Sequence, residues 1–257
     1  MTALSREDRS GPSRRTPGAP ELRPCRILDV DPDLGDGLSH VDRAAAERLL
    51  TAPVIEASRA RWDPPFMDPQ TSFGLLIIDG MLGRRVRVAG SVATEVLGAG
   101  DIIRPWEEPV IWGVIPPELD WRVFRPARLA ILDQHVTTVM GRRPQLVVNF
   151  SARLLRRAHS VGYLAAVTHQ AKVEDRLLAT LWFLAGKWGR VSPQGITVPF
   201  RLTHEVLGEI IGAQRPSVTL AFGSLQRQDL VQRLPAGGLL LTGAPPSSAD
   251  AASLCSA

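Results

Sequence analysis

The chain is 257 residues long, enough for one large domain or two modest ones, with 44% hydrophobic and 22% charged residues, an ordinary globular balance. No apolar run approaches the roughly 18–20 residues that cross a bilayer. The cysteines, Cys25 and Cys255, lie near opposite ends, which leaves a disulfide framework, a Cys-x-x-Cys zinc site and a four-cysteine iron–sulfur cluster without support. The net charge of +4 is carried by arginine (the only lysines are Lys172 and Lys187), which fits a polyanionic partner without requiring one.

Residues 1–24, rich in Ser, Arg, Pro and Gly and lacking an apolar signal core, read as a disordered tail of a cytoplasmic protein, as do residues 244–257. Residues 25–140 read mainly as β. Asp42 to Leu50 has the pattern of a short helix. Phe73 to Asp79 is a continuous apolar strand closed by Gly80 as a turn, and Arg85-Val-Arg-Val88 alternates as a strand with one buried face. Ala93–Leu97, Trp121–Phe124 and Arg128–Leu132 are further short strands, with Pro126 as a break between the last two. Such spacing predicts a small antiparallel barrel or jelly roll.

From Gln145 to Thr168 the pattern is helical. Val147, Ser151, Leu154, Ala158, Val161, Ala165 and Thr168 recur about every 3.5 residues, with Leu155 and Leu164 alongside and Arg153, Arg156 and Arg157 off the seam. A seam of small and branched side chains predicts close helix–helix contact between two subunits, and residues 141–170 are assigned to a dimerisation helix. Val173 to Trp188 forms a second helix, with an apolar stripe through Leu177, Leu178, Leu181, Trp182 and Leu184. Ser192-Pro-Gln-Gly195 reads as a loop and Ile196–Pro199 as an edge strand.

The segment Thr203 to Phe222 is the most informative. Thr203 is a good N-cap, Glu205 suits the positive end of the helix dipole, and Leu207, Ile210 and Ile211 form a buried face. Gly208 sits mid-helix at a cost of about 1 kcal/mol, reasonable where a second helix crosses closely. Gly212 ends that helix, and Pro216 falls in the first turn of the next, where a missing N–H is harmless. Val218 and Ala221 point to the core, with Leu225 one turn on. Two short strands around Pro235-Ala-Gly-Gly238 complete a winged helix-turn-helix over residues 171–243.

In this order of elements the chain resembles the Crp/Fnr family of transcription regulators. The resemblance covers about residues 25–243 and rests on Leu97-Gly-Ala-Gly-Asp101, on Val173-Glu-Asp-Arg-Leu-Leu178, and on Leu202 through Leu225. It implies an α+β architecture: a β-roll sensor like a cyclic-nucleotide-binding domain (a double-stranded β-helix) at 25–140, a dimer helix, then the winged helix-turn-helix. It also implies a non-enzymatic, cytoplasmic homodimer on palindromic double-stranded DNA, with RNA polymerase a further candidate partner. Arg215 falls on the family's base-reading arginine, able to grip guanine O6 and N7 together. Where the family next has an acid this chain has Pro216, and at the later basic position Leu220, so a different, more apolar readout is expected. Thr203, His204, Gln214, Ser217 and Thr219 are candidates for further DNA contacts, to phosphates where they fix register without reading sequence.

Residues 201–242 hold four arginines against Glu205, Glu209 and Asp229, so one copy alone has a modest electrostatic drive onto DNA. The Arg-Ser or Arg-Ala pair that grips a cyclic phosphate in relatives is absent between Ile102 and Trp121. Glu118 and Asp120 stand near its place, where two carboxylates would repel a phosphate. Cyclic AMP is therefore not the expected effector, and the effector is unassigned; Arg104 and Arg122 are the candidates for an altered anion site. No cofactor or metal is expected, because the five histidines (His40, His135, His159, His169, His204) are scattered, and no nucleophile turn or phosphate loop is present. The rival reading is a ligand-binding or protein-interaction module whose helix-turn-helix is degenerate at Pro216 and Leu220. A redox role for Cys25 is left open by the sequence.

Overall fold

The computed structural model describes residues 24–106, 115–235 and 237–246. Residues 1–23 and 247–257 of the expected terminal tails, residues Glu107–Pro109 of the effector segment and Ala236 of the wing turn lie outside these.

The chain opens with β1 (Cys25–Arg26), the one-turn helix α1 (Ile27–Val30) and a 3₁₀ turn at Pro32–Gly35. Helix α2 (His40–Leu49) is capped by Ser39, whose hydroxyl accepts from the Asp42 N–H. Strand β2 (Thr51–Ala52) pairs with β1, and β3 (Val54–Ala57) joins the main sheet with β4 (Gly74–Val88), β5 (Ser91–Gly98), β6 (Ile102–Ile103) and β7 (Glu118–Leu132). That sheet is wholly antiparallel, in the order β3-β7-β4-β5 with β6 also on β4.

Two expected breaks are not ends of strands. Gly80 and Pro126 lie within continuous 15-residue strands, opposite each other across an irregular stretch of the β4–β7 pairing. Gly80 has φ +90°, and a Cβ there would lie 2.2 Å from the Ala127 Cα, so only glycine fits. Paired bulges bend a strand pair sharply. The apolar run of β4 is continuous because both faces are covered. Leu75 and Ile77 fill the interior of the sheet with Leu97, Trp121 and Leu129, while Leu76 packs outward among α2, α3 and α4 residues.

Helix α3 (Gln134–Gly141), within a region read as β, is capped by Asp133, whose carboxylate accepts from the His135 and Val136 N–H groups. Helix α4 (Pro144–Thr168) follows, then α5 (Val173–Trp188) at the bounds read from the sequence. Leu154 of the expected seam faces inward with Leu146 and Phe150, while Val147, Ala158, Val161 and Ala165 of that seam are exposed, together with Val148 (59% exposed), Leu155 (60%) and Gly162. Arg153 and Arg157 also turn inward, onto Asp31 and Glu95.

The C-terminal unit adds β8 (Arg190–Ser192), β9 (Gly195–Val198), α6 (His204–Ile211), α7 (Arg215–Arg227), β10 (Val231–Arg233) and β11 (Leu239–Leu241). Its sheet runs β10-β11-β9-β8, so the strand at Ile196 is internal and β8 takes the edge. Leu177, Leu181, Leu207, Ile211, Val218, Phe222 and Leu225 make its core, joined by Met81 and Val96 from the β4–β5 hairpin. Among the described residues no helix is long and apolar enough to cross a membrane.

Candidate nucleic-acid interface

Helix α6 begins where the Thr203 hydroxyl accepts from the Val206 N–H at 3.2 Å. It ends at Gly212, which adopts the left-handed conformation (φ 65°, ψ 42°) that closes a helix without a Cβ penalty. Gly208 makes room for the turn more than for the crossing helix: a Cβ there would meet the Ala213 carbonyl oxygen at 2.4 Å, with Val218 of α7 at 3.6 Å. The Ala213 N–H in turn donates to the Gly208 carbonyl at 2.9 Å. The tight turn sets the angle between the two helices.

Helix α7 starts with Arg215 and Pro216 in its first turn. Val218, Ala221, Phe222 and Leu225 are buried, while Gln214, Arg215, Pro216, Thr219 and Leu220 are exposed and Ser217 is half-buried. The eight predicted residues thus gather at the start of α6 and on the first two turns of α7. They do not all have free polar atoms. The Thr219 hydroxyl donates to the Arg215 carbonyl at 2.9 Å, so its oxygen accepts from His204 Nδ1 at 2.8 Å. That fixes the Nδ1–H tautomer and leaves Nε2 to accept from the Arg233 guanidinium. Both His204 nitrogens are spent inside the unit, where the ring bridges α6, α7 and β10.

Arg233 is the residue that sequence reasoning missed. Its guanidinium lies 4.5 Å from the centre of the Phe222 ring as well as on His204, so an exposed cation on the wing strand is held in place. The available signal was a basic residue on a predicted wing strand, but its partners are 11 and 29 positions away. Burial, and then the charges of Arg233 and Arg215, hold the His204 pKa below its ordinary 6.5. Between the folded and unfolded values the unfolded chain binds a proton that the native state refuses. Stability therefore falls as pH drops through about 6.5 and does not depend on this group above it. Thermal melts at pH 7.5 and 5.5 should show a smaller acid loss for His204→Gln than for the parent; equal losses would refute the assignment.

The unit is fastened to the main sheet at two places. Glu209 of α6, with a side chain 11% exposed, takes hydrogen bonds from Arg85 of β4 (15% exposed) and from the Thr94 hydroxyl of β5. Arg85 is thus a half-buried tie rather than the solvent-facing member of an alternating strand, whereas Val88 is exposed. Lys187 of α5 reaches both Asp101 carboxylate oxygens, at 3.0 and 3.1 Å, and Asp101 also accepts from the Gly98 N–H. With Glu209 neutralised from outside the unit, the four arginines of residues 201–242 face only Glu205 and Asp229, a more basic balance than composition implies.

The two candidates of the altered anion site have different surroundings. Arg104 donates to the carbonyls of Pro69, Ser72 and Phe73. Arg122 lines a cleft whose Glu118 and Asp120 lie 3.4 and 4.0 Å from Arg87 and Arg85. Burial pushes the Cys25 thiol up, which disfavours the reactive thiolate.

Residues 175–242 match the family model of the Crp-like helix-turn-helix domain. The chain is 28% identical to the global nitrogen regulator of Synechococcus elongatus over 113 residues, 42% of this chain, and it spans about half (49%) of that relative. Among solved structures it resembles a CooA mutant from Carboxydothermus hydrogenoformans (TM-score 0.56, 16% identity, 85% of this chain and 90% of that one). It also resembles the c-di-GMP-responsive regulator CLP of Xanthomonas campestris (TM-score 0.53, 17% identity, 75% of this chain and 95% of that one). At these identities the structures speak to the fold alone, and it is the same one: antiparallel sheet, long helix, helix-turn-helix. Residues 175–242 are a Crp-like helix-turn-helix domain, and the chain that carries it shares its overall fold with CooA and CLP.

Proposed function

We propose that the chain regulates transcription in the cytoplasm as a homodimer on palindromic duplex DNA, with α7 of each copy in the major groove. Residues 25–140 would be the sensor, 141–170 the dimer helix and 171–243 the DNA-binding domain, with RNA polymerase a further partner and the effector unassigned. One observation carries this reading. Arg215 stands exposed at the first position of a helix whose opposite face is locked in a core, and its guanidinium has no partner among the described residues. Arg233, pinned beside it by His204 and Phe222, supplies a second fixed cation for the phosphate backbone.

The test is a gel shift on a duplex selected from a random pool. Arg215→Ala should weaken binding by about 1–3 kcal/mol and relax discrimination at one base pair in each half-site. A parent protein that binds the selected and scrambled duplexes equally well sinks the proposal. The uncovered strip of α4 is the proposed dimer seam, its spacing of seven residues from Val148 to Leu155 to Gly162 being that of paired helices. Leu155→Glu should shift the protein to monomer in sedimentation and weaken DNA binding with it. An unchanged dimer would place the seam elsewhere.

A further inference from the structure

The outward face of α7 carries less polarity than a helix that reads bases by hydrogen bonds would need. Leu220 is 76% exposed, and Pro216, also exposed, lies one turn before it on the same face. Pro216 has no N–H to offer. Thr219 lies beside them, but its hydroxyl is engaged by the Arg215 carbonyl and His204, so its methyl group is what remains for a ligand. Gly223 follows at the next turn, where a Cβ would meet nothing nearer than Arg227 Nη1 at 3.7 Å. Positions 216, 219, 220 and 223 therefore make one apolar strip, flanked at its ends by Arg215 and Arg227 and along one side by the half-buried Ser217 and Ser224.

Resting on the reading of α7 as the groove helix, we infer that this strip recognises the C5-methyl group of thymine. In the major groove the other base-edge groups that identify a pair are hydrogen-bond donors and acceptors, and the thymine methyl is the apolar one. A strip without free donors or acceptors leaves carbonyls and amino groups of the bases unpaired, which disfavours pairs that show only those. A methyl group against Leu220 and Pro216 removes apolar surface from water on both sides. The half-site then combines a guanine under Arg215 with thymines under Leu220, and its specificity rests on methyl contact where relatives use charged side chains.

The experiment starts from duplexes selected out of a random pool by the full-length protein. The best-bound duplex is resynthesised with deoxyuridine in place of thymidine, which removes only the C5-methyl groups. Binding should weaken about fourfold for each contacted methyl, hence about tenfold or more with one in each half-site. Leu220→Ala, at a solvent-facing position and checked for folding by its melting temperature, should bind both duplexes with nearly the same affinity. Equal binding of thymine and uracil duplexes by the parent overturns the inference while leaving DNA binding intact, as does a full thymine preference in Leu220→Ala. A pool from which no duplex is enriched removes the DNA-binding reading as well.

Discussion

Glu209→Ala is expected to lower stability by about 2–4 kcal/mol, because removing one partner of a largely buried ion pair leaves the other partly desolvated and unmatched. Arg85, 15% exposed, would keep only Asp120 at 4.0 Å, and the Thr94 hydroxyl would lose its acceptor. The measurement is urea unfolding followed by two probes, one for the sheet and one for the C-terminal unit. The two signals should separate, since the pair joins units with cores of their own. Thr94→Val, which removes one hydrogen bond to a charged group, should cost about 1.5–3 kcal/mol. A Glu209→Ala protein within about 1 kcal/mol of the parent, with coincident signals, would show that the apolar contacts of Met81 and Val96 hold the units together without it.

Gly208→Ala should behave unlike most glycine replacements in helices. Propensity alone predicts a gain of about 1 kcal/mol. Against that, the new Cβ would lie 2.4 Å from the carbonyl oxygen of Ala213, a residue already fixed by its own N–H donating to the Gly208 carbonyl. Overpacking of this kind costs about 1–3 kcal/mol, and the strain can be relieved only by opening the turn that sets the angle of α7. Steric cost wins. Specific DNA binding should fall by more than the stability loss accounts for, because every copy that still folds presents Arg215 at an altered angle. A stabilised variant with parental DNA affinity would contradict the geometry.

These two cases also show what the sequence made legible. The start and end of α6, the first turn of α7 and the bounds of α5 were readable because their signals are local: a capping hydroxyl, a left-handed glycine, a proline in a first turn. Gly80 and Pro126 misled for the same reason. Each is a turn signal on its own, and only their mutual pairing across β4 and β7 turns two breaks into one bend. The burial of Arg85 was hidden because its partner, Glu209, lies 124 positions away. The inward turn of Leu154 on α4 was not legible, since alternating small and branched side chains do not say which neighbour a helix already covers. At the candidate interface the predicted residues do lie together, but which polar atoms remain free depends on the His204 bridge from Thr219 to Arg233.

The two fastenings of the C-terminal unit have a mechanical consequence. A rigid body pinned at two separated points keeps one rotation, about the line that joins them. Here that line runs from the hairpin tie at Glu209 to the Asp101–Lys187 contact, both of them based on the same stretch of the sheet. With Met81 and Val96 packed into the C-terminal core between them, the two ties hold α7 in a set direction relative to the sheet. The orientation of Arg215 in space is in this sense decided by residues of β4, β5 and the turn after them, far outside the helix that carries it.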